Sequence, residues 1–536
     1  MITTREEFRA LAGEYRAIPV HRQLLADLTT PLAAFMRCVG DESGFCLESV
    51  ENGERWSQFS FVGRRPHATL VARGSTVEVT GDLPDDDLPL NKGILAPLEV
   101  LLERYRAPGI PDLPPLVAGM VGYLGYDVIR EIENIPASTI DVDGYPDAII
   151  DVIGELAVFD HWRQRVTLVA VALLGPSPSE EEIDAAYDDA VERLEDLARA
   201  GARPIDEPLV IPPDESDETQ AADIEALSIT ESLSGELYGK AVQAAKEYIR
   251  AGDIFQVVLS KRFGFDLGAE PIDVYRVLRQ INPSPYMYFI RRPELTLVGC
   301  SPEPLVQVQG GRVISRPIAG TRRRGRTEQH DRLMAAELAE DPKEQAEHVM
   351  LVDLARNDVG RVVEFGSLNV DEMMTLERYS HVMHLTSQVS GDLAEGRSII
   401  DVLRATLPAG TVSGAPKVRA MEIIDELEPV KRGPYSGVVG YLSFSGNLDT
   451  AIAIRTMVCG PDTASVQAGA GVVADSVPEL ENKECWNKAR ALLAAVGPAR
   501  RMRSERAAGI LDGEAAVSNA EPDLNRAADK ALDEES

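Results

Sequence analysis

The stretch LYGKAVQAAKEYIRAGDIFQVVLSKRFGF, residues 237–265, changes from a helical to a strand-like pattern along its length. Residues 237–253 are predicted to form a helix, and the apolar run at 254–265 is typical of a strand. Helical and strand-like runs continue to alternate from here to residue 498. Periodicity alone therefore predicts a mixed α and β fold for this part of the chain.

The 536 residues divide by composition into four parts. Residues 1–198 combine short strand-like runs with turns, and residues 199–232 are rich in proline and acidic residues, which indicates a linker. Residues 233–498 carry the sharper pattern, and their last helix is predicted to end at Gly497. Residues 499–536 are charged, alanine-rich and free of aromatic residues, so we expect a disordered tail.

The chain is strongly acidic, with 87 Asp and Glu residues against 54 Lys and Arg residues and a formal net charge of −33. Surfaces that bind nucleic acids or anionic membranes are basic, so the composition argues against both kinds of partner. A local basic patch, SRPIAGTRRRGR at 315–326, is compatible with binding of a small anion. We assign no catalytic role to its arginines.

Cysteine usage and the N-terminus predict a cytoplasmic protein. The cysteines form neither a disulfide framework nor a CxxC metal motif, since they are odd in number and widely spaced, at 38, 46, 300, 459 and 485. The first residues are charged and lack the apolar core of a signal peptide. The most apolar run, residues 166–175, is far shorter than the roughly 20 residues of a membrane helix and is typical of a buried strand.

DPKEQAEHVMLVDLARND, residues 341–358, is predicted to form a helix with Asp341 as its N-cap. Glu344, Glu347 and Leu351 follow at intervals of three and four residues, so they share one face of this helix. The two carboxylates therefore lie on a face that becomes apolar one turn later. That is an unusual position for acids that interact only with water.

A second predicted helix, residues 477–497, repeats this arrangement with Glu481, Glu484 and Lys488 on one face. Oxygen-rich sites of this kind suit Mg²⁺, which takes a few carboxylates, keeps waters and leaves positions for an anionic substrate. Acids in the first turn of a helix are also favoured by the helix dipole alone. The presence of both pairs, with a lysine beside one, favours a metal and anion site over that simpler explanation.

Two further segments are suited to binding an anion. The run AIAIRTMV at 451–458 alternates like a strand and places Arg455 beside small alanines, where its guanidinium suits a carboxylate; the alternative is an edge-strand arginine in solvent. Gly469, Ala470 and Gly471 follow a predicted strand, and glycines there let backbone N–H groups approach an anion. No helix opens directly after them, so the segment is not a dinucleotide-binding loop.

A series of motifs runs in order through residues 235–497. They are DIFQVVLS (253–260), NPSPYMYF (282–289), VGCSPE (298–303), RPIAGTRRRG (316–325), EHVMLVDLARND (347–358), YSHVMHL (379–385), PAGTVSGAPK (408–417), GPYSGVVGY (433–441), AIRT (453–456), QAGAGVVADS (467–476) and ENKECWNKA (481–489). In these motifs, and in LESVENGERWSQFSFVG at 47–63, the chain resembles the chorismate-utilising enzymes, and most of all the large, synthase subunits of anthranilate synthase.

The resemblance implies an α+β fold in which two antiparallel β-sheets pack together and helices flank them. The N-terminal region, 1–198, is then a regulatory part woven against the catalytic part, 233–498. The resemblance also implies conversion of chorismate and ammonia to anthranilate and pyruvate, the first step of tryptophan biosynthesis, with Mg²⁺ required.

The same resemblance implies that Glu347 and Glu484 are the Mg²⁺ ligands and that Glu344 and Glu481 lie in the outer shell of the metal. The metal then holds the ring carboxylate of chorismate. The residues expected to contact the substrate are Gly320, Thr321, Tyr435, Arg455, Gly469, Ala470, Gly471 and Lys488.

The catalytic set implied by the resemblance is Glu303, His384, Gln256 and Thr411. Ammonia adds at C2 of the ring while the C4 hydroxyl leaves, and Glu303 matches the general acid that makes the hydroxyl a better leaving group. His384 matches the histidine that the family associates with loss of the C2 proton and of pyruvate, which restores aromaticity.

Two positions distinguish this chain from relatives with other chemistry. Gln256 stands where relatives that add water carry a lysine base, which neutral ammonia does not need. Ala319 stands where relatives that make aminodeoxychorismate carry a nucleophilic lysine. Both residues favour direct attack by ammonia over the main alternative, an aminodeoxychorismate synthase large subunit. A non-catalytic chorismate- or tryptophan-binding regulator is a second alternative, but binding alone needs no pairing of Glu303 with His384.

Two partners follow from the resemblance. The chain has no G-x-C-x-G-x-Q nucleophile elbow, so ammonia is expected from a separate glutamine amidotransferase subunit in a hetero-oligomer. Tryptophan is expected as a feedback inhibitor at a site made by Ser49, Pro285, Tyr286 and Met287. Cys46 stands where many relatives have leucine, directly before the matching LES segment, which leaves the affinity for the inhibitor open.

Overall fold

The structure is a computed structural model, and it describes residues 3–49, 58–84, 87–205, 212–213, 216–325, 327–378, 382–461 and 463–507. The α-helices among these residues are α1 (Arg5–Ala12), α2 (Pro31–Cys38), α3 (Leu95–Arg104), α4 (Glu180–Gly201), α5 (Asp217–Glu225), α6 (Gly235–Ala251), α7 (Pro271–Ile281), α8 (Glu328–Glu340), α9 (Pro342–Gly360), α10 (Ile399–Thr406), α11 (Lys417–Leu427), α12 (Pro478–Leu493) and α13 (Val496–Ala507). Two 3₁₀ helices cover Tyr126–Glu131 and Gly410–Val412.

The strands of the described residues also follow in chain order. They are β1 (Ala17–Leu25), β2 (Gly44–Glu48), β3 (Phe59–Arg64), β4 (Ala68–Arg73), β5 (Thr76–Gly81), β6 (Gly119–Leu124), β7 (Ala148–Val152), β8 (Glu155–Asp160), β9 (Arg165–Leu173), β10 (Thr230–Glu231), β11 (Gln256–Phe265), β12 (Tyr286–Arg291), β13 (Thr296–Ser301), β14 (Pro304–Gln309), β15 (Arg312–Ser315), β16 (Ile318–Arg323), β17 (Asn369–Arg378), β18 (Val382–Asp392), β19 (Gly414–Ala415), β20 (Val438–Ser443), β21 (Leu448–Ile452), β22 (Thr456–Cys459) and β23 (Ala464–Val472).

These strands form two large antiparallel sheets. Sheet 1 has the order β1-β9-β8-β3-β2-β12-β13-β22-β23-β11-β10, with β19 paired to β11. Sheet 2 has the order β16-β18-β15-β14-β21-β20-β6-β7-β4-β5, with β17 paired to β18. The predicted α+β class, with two packed antiparallel sheets and flanking helices, is confirmed.

Both sheets take strands from the N-terminal and the C-terminal halves of the chain. In sheet 1 the halves meet where β2 pairs with β12, with Cys46 opposite Phe289. In sheet 2 they meet where β6 pairs with β20, with Val121 opposite Tyr441. The N-terminal region is therefore woven into the same sheets as the region that carries most of the motifs. Its regulatory role stays a prediction.

Buried apolar side chains cover both faces of sheet 1. Phe61 of β3 joins a cluster between the sheets that also contains Met120 of β6. The next residue, Val62, points the other way into a second cluster with Leu194 of α4 and Tyr275 of α7. This alternation follows from the two-residue period of a strand. The sheets are thus the central layers of the molecule, and helices cover the outer face of sheet 1.

Local sequence signals explain where the helices that carry the predicted site begin. The Asp341 side chain accepts hydrogen bonds from the N–H groups of Lys343 and Glu344, which caps α9 as predicted. Pro342 stands at the first position of α9 and Pro478 at that of α12. A proline costs little there, because the N–H it lacks has no partner inside a helix.

The apolar run at 166–175 lies in β9, as the composition predicts. Seven successive residues of β9, Val166 to Ala172, are buried, which is the pattern of a strand covered on both faces. No helix in the part of the chain that the structure describes is long and apolar enough to cross a membrane.

The predicted end of the last helix, and the predicted start of the tail, are wrong. After α12 ends, α13 begins at Val496 and continues through Gly497 to Ala507. Pro498 lies in the first turn of α13, where its missing N–H breaks no hydrogen bond. Ala499 and Met502 are buried in the second cluster, so packing holds this segment as a helix. Residues 508–536 lie outside the described residues.

The described residues of the predicted linker include the helix α5, which is tied to the C-terminal segment. Asp223 of α5 forms a bidentate ion pair with Arg501 of α13, with N–O distances of 2.7 and 3.0 Å. Ile224 packs against the second apolar cluster. Part of the segment between 199 and 232 is therefore docked, while residues 206–211 and 214–215 lie outside the described residues.

Candidate active site

Two neighbouring crossovers between the sheets carry Glu303 and Arg455. The chain leaves sheet 1 after β13 and enters sheet 2 at β14, with Glu303 directly before that strand. It returns from β21 of sheet 2 to β22 of sheet 1 through Arg455. The N–H of Ile452 donates to the Glu303 carbonyl at 3.0 Å, and the N–H of Cys300 donates to the Arg455 carbonyl at 3.0 Å. These bonds hold the two crossovers side by side.

The second crossover overturns the single strand predicted at 451–458. The strand breaks between Ile452 and Thr456, and Arg455 has a left-handed φ of 51°. Such a backbone is costly for a residue with a side chain and is held by its surroundings. Burial lowers the pKa of Arg455. One guanidinium N–H donates to the Lys488 carbonyl at 3.4 Å. Arg455 is thus a partly buried cation held beside α12.

Glu303 has the environment of a general acid. The Thr411 hydroxyl donates to its Oε1 at 2.9 Å. Burial raises the pKa of Glu303 to about 7, and this outweighs the Thr411 bond and the charge of Lys488, which both lower it. A carboxyl group with this pKa is partly protonated near neutral pH, which is the condition for donating a proton.

Lys488 joins the acidic helix α12 to the glycine-containing strand β23. Its Nζ donates to the Gly469 carbonyl at 2.9 Å and to Oε1 of Glu484 at 2.8 Å. The Gly469–Gly471 segment lies within β23, where it pairs with β11, so the prediction that it follows a strand is wrong. The side chain of Ala470 is buried in the cluster under α6 and α11, so it faces the helices.

The two glycines of β23 leave room for neighbouring polar side chains. A Cβ at Gly469 would lie 3.0 Å from the Tyr435 hydroxyl oxygen, and one at Gly471 would lie 2.7 Å from Nε2 of Gln256. Both contacts are tight, so a residue larger than glycine at either position would require Tyr435 or Gln256 to move. The structure brings together Gln256, Tyr435, Gly469, Gly471 and Lys488 along one strand.

The carboxylates of α9 and α12 influence each other. The pKa of Glu347 is raised, first by desolvation and then by the charges of Glu344 and Glu484. The pKa of Glu481 is raised by desolvation and by Glu484. Glu347 and Glu484 both remain accessible to water. Mutual repulsion at an accessible site is relieved by a bound cation.

Glu347 and Glu484 are the carboxylates that would hold Mg²⁺, and a metal at this site stays a prediction. Among the described residues, no three His, Cys, Asp or Glu side chains converge to ligating distance. Mg²⁺ is typically held by one or two carboxylates and keeps several waters or substrate oxygens. Glu347 and Glu484 match that requirement.

The basic patch neutralises part of this acidic region. Arg322 donates to Glu344 at 3.1 Å and to Asp341 at 2.9 Å, and Arg324 pairs with Asp331 at 2.7 Å. The carboxylate of Glu344 is therefore tied to Arg322, which supports an outer position for it. Arg326 lies outside the described residues.

His384 lies opposite the bulge that Gly320 makes in β16. Gly320 has a φ of 63°, and a Cβ there would lie 3.1 Å from Oε2 of Glu344. Thr321 pairs with His384 and Ala319 with Leu385. The Nδ1–H of His384 donates to the Gly320 carbonyl at 3.0 Å, and burial lowers the pKa of the ring. The neutral ring then carries its lone pair on Nε2, where it accepts a proton.

All four residues predicted to bind an inhibitor line one cavity of about 160 Å³. The cavity lies where the two halves of the chain meet, and its lining includes Ser49, Pro285, Tyr286 and Met287. Cys46 is fully buried in the second apolar cluster and does not line the cavity.

Sequence reasoning missed Asp449, one of the acids that line this cavity. Asp449 accepts hydrogen bonds from the Tyr286 hydroxyl at 3.0 Å and from Gln307 at 3.1 Å. Burial raises the pKa of Asp449 to about 6. The pairing of β21 with β14 places Asp449 opposite Gln307, and Tyr286 reaches it from β12 of sheet 1, so distant parts of the chain meet there. No local sequence signal marks it.

Residues 53–494 match the family model described as chorismate binding enzyme. The chain is 45% identical over 506 residues to anthranilate synthase component 1 of Mycolicibacterium smegmatis, which covers 93% of this chain and 94% of the relative. It is 46% identical over 484 residues to the protein of that name from Thermus thermophilus, with 90% and 98% covered.

Solved structures agree with this assignment. Anthranilate synthase component I from Streptococcus pneumoniae superposes with a TM-score of 0.67 at 35% identity, covering 88% of this chain and 99% of that one. The menaquinone-specific isochorismate synthase MenF from Escherichia coli gives a TM-score of 0.64 at 18% identity, covering 92% and 98%, and supports the fold alone. The chain therefore belongs to the chorismate-binding enzyme family, among the anthranilate synthase component I proteins.

Proposed function

We propose that this protein is the synthase subunit of an anthranilate synthase, a lyase that converts chorismate and ammonia to anthranilate and pyruvate. The observation that carries the proposal is Glu303, whose pKa is raised to about 7 and whose carboxyl accepts the Thr411 bond. A carboxyl group that is half protonated at neutral pH suits departure of a hydroxyl, which leaves as water.

In the first step the lone pair of ammonia forms a bond to C2 of the ring. The ring double bonds shift, the C4–O bond breaks, and the proton of Glu303 leaves with the hydroxyl as water. The added nitrogen then loses a proton to solvent. Gln256 and Ala319 supply neither a base nor a nucleophile at the positions where relatives carry lysine, so ammonia itself is the attacking group.

In the second step the ring becomes aromatic. His384 accepts the C2 proton on Nε2, the electrons of that C–H bond form a ring double bond, and the C3–O bond breaks. Enolpyruvate leaves and takes up a proton to become pyruvate. The Gly320 carbonyl supports this role because it fixes the ring orientation and the tautomer through Nδ1.

The substrate carries two carboxylates, and the site offers cations for them. The guanidinium of Arg455 donates to the backbone carbonyl of Lys488, and the ammonium of Lys488 donates to the Gly469 carbonyl. An arginine fork and a lysine beside a glycine-containing strand suit one carboxylate. Glu347 and Glu484 would hold Mg²⁺, which supplies charge neutralisation at the other carboxylate when it is bound.

Product analysis tests this proposal and separates it from an aminodeoxychorismate synthase. We expect the isolated chain, supplied with chorismate, Mg²⁺ and ammonium at alkaline pH, to release anthranilate and pyruvate in equal amounts. Chromatography with mass detection identifies both products. Accumulation of aminodeoxychorismate without pyruvate would support the alternative activity. Glutamine in place of ammonium should give no product until a glutamine amidotransferase subunit is added.

Tryptophan is proposed as a feedback inhibitor that occupies the 160 Å³ cavity. We expect Ser49→Ala to raise the tryptophan concentration for half-inhibition by about tenfold, because a hydrogen bond to a charged ligand group contributes about 1.5 kcal/mol. A tryptophan titration of initial rates measures this. Ser75→Ala, at an exposed turn between β4 and β5, is the matched control. Equal inhibition of wild type and Ser49→Ala, or none at millimolar tryptophan, would rule the site out.

A further inference from the structure

Arg432 is a buried arginine whose guanidinium has a partner for each of its five N–H groups. Two N–H groups donate to Glu428 at 2.6 and 2.9 Å. The others donate to the Val412 carbonyl at 2.7 Å, the Ser436 hydroxyl at 3.1 Å and the Val258 carbonyl at 2.8 Å. Arg432 and Glu428 are each 4% exposed. A buried ion pair with this many partners fixes geometry rather than adding stability.

The partners of Arg432 are direct neighbours of the proposed active-site residues. Val412 follows Thr411, whose hydroxyl bonds Glu303. Val258 belongs to β11, where it pairs with Gly471. The guanidinium also lies 5.6 Å from the centre of the Tyr435 ring. One side chain thus contacts the segment that carries Thr411, the strand β11 next to the glycine-containing strand, and the Tyr435 ring.

The short 3₁₀ helix that carries Thr411 depends on such contacts. It has only three residues, Gly410–Val412, and no side-chain cap. A Cβ at Gly410 would lie 1.8 Å from a methyl carbon of Leu354, so this turn is pressed against α9. Arg432 holds its other end through the Val412 carbonyl.

We propose that the Arg432–Glu428 pair is a positioning element for the reaction, which holds Thr411 in bonding distance of Glu303 and Tyr435 against Gly469. The inference rests on the proposed function and extends it to residues that do not touch the substrate. Lysine cannot replace arginine here, since an ammonium has three donors and lacks the planar fork that reaches two carbonyls and a carboxylate together.

The test is Arg432→Lys, assayed with chorismate, Mg²⁺ and ammonium. We expect kcat/KM to fall about 100-fold, because displacement of a catalytic group by 1 Å costs about that factor. The alkaline limb of the pH profile should move to higher pH, because the Thr411 bond lowers the pKa of Glu303 and a looser bond lowers it less. Arg419→Lys, which alters half-buried ion pairs with Asp253 and Glu422 outside the proposed site, should leave the limb unchanged.

A double-mutant cycle with Thr411→Val separates positioning from general loss of stability. If Arg432 acts partly through Thr411, Arg432→Lys lowers kcat/KM by clearly less than about 100-fold in the Thr411→Val background, and the remaining loss measures its effect through Tyr435. The inference would be overturned if the fold-losses in kcat/KM of the two single variants multiplied fully in the double variant and the alkaline limb of a folded Arg432→Lys protein stayed at its wild-type pH. If Arg432→Lys fails to fold, the pH profile of Glu428→Gln is measured instead, and its alkaline limb should also move to higher pH. Failure of the wild type to form anthranilate would instead refute the proposed function.

Discussion

Replacement of Glu303 by glutamine is expected to lower kcat/KM for chorismate with ammonium by about 10³-fold, within the range for loss of a general acid. Glutamine keeps the size of the side chain and an oxygen that accepts the Thr411 bond, but it has no proton to donate. Initial rates of anthranilate formation measure the effect. A decrease of less than tenfold would mean that another group protonates the leaving hydroxyl.

The pH profile gives the same prediction without a mutation. The proposed role of Glu303 as general acid requires it to be protonated, and burial raises its pKa to about 7, so the activity of the wild type should fall as the pH rises through 7. The concentration of free ammonia must be held constant across the series, because ammonia is itself a titrating substrate. The residual activity of the Glu303→Gln protein should not fall as the pH rises through 7.

The Glu303→Gln substitution should raise the stability of the protein at alkaline pH although it lowers the activity. A glutamate of ordinary pKa ionises near 4.5, whereas folded Glu303 ionises near 7, so wild type loses stability as the pH rises between these values. Glu303→Gln avoids this loss and should be more stable than wild type at pH 8 by up to about 3 kcal/mol, and equal to it at pH 4. Denaturant unfolding at both pH values tests the sign. A less stable variant at pH 8 would argue against the raised pKa.

Replacement of Glu347 by glutamine is expected to raise the Mg²⁺ concentration for half-maximal activity by at least about 100-fold. Loss of a residue that only supports a ligand already costs about 10- to 100-fold in metal affinity, and a direct ligand costs more. Glutamine removes the charge while keeping the shape. Mg²⁺ titrations of the rate, with calorimetric titration of Mg²⁺ binding, measure the change independently of chemistry.

Glu344→Gln is the matched control on the same helix. Its carboxylate is tied to Arg322 at 3.1 Å, so we expect the smaller effect of a residue that only supports a ligand, about tenfold. Equal effects of the two variants would place both carboxylates on the metal. An unchanged Mg²⁺ requirement in Glu347→Gln would remove Glu347 from the metal site.

Helices that depend on local signals could be predicted from the sequence. Asp341 and Pro342 mark the start of α9 because a cap and a first-turn proline act within four residues. The spacing of Glu344 and Glu347 on that helix follows from the 3.6-residue period. Placement of these carboxylates near Glu484 depends on how two helices pack, which periodicity does not contain.

The features that make the site reactive are not local. Arg455 interrupts what looks like a single alternating strand, because the chain changes sheets there. The raised pKa of Glu303 results from burial at the other crossover. The proposed role of Arg432 depends on its contact with β11, which is more than 150 residues away along the chain. The helix end predicted at Gly497 and Pro498 is wrong because a proline that can end one helix also fits the first turn of the next.

The central claim is that this chain alone aminates chorismate and eliminates pyruvate. Anthranilate fluorescence, followed after chorismate is mixed with the isolated wild-type chain, Mg²⁺ and ammonium, tests it most directly. We predict a steady rise that stops on chelation of Mg²⁺ and is about 10³-fold slower with Glu303→Gln. Absence of anthranilate from the folded wild-type chain at saturating chorismate, ammonium and Mg²⁺ would contradict the claim.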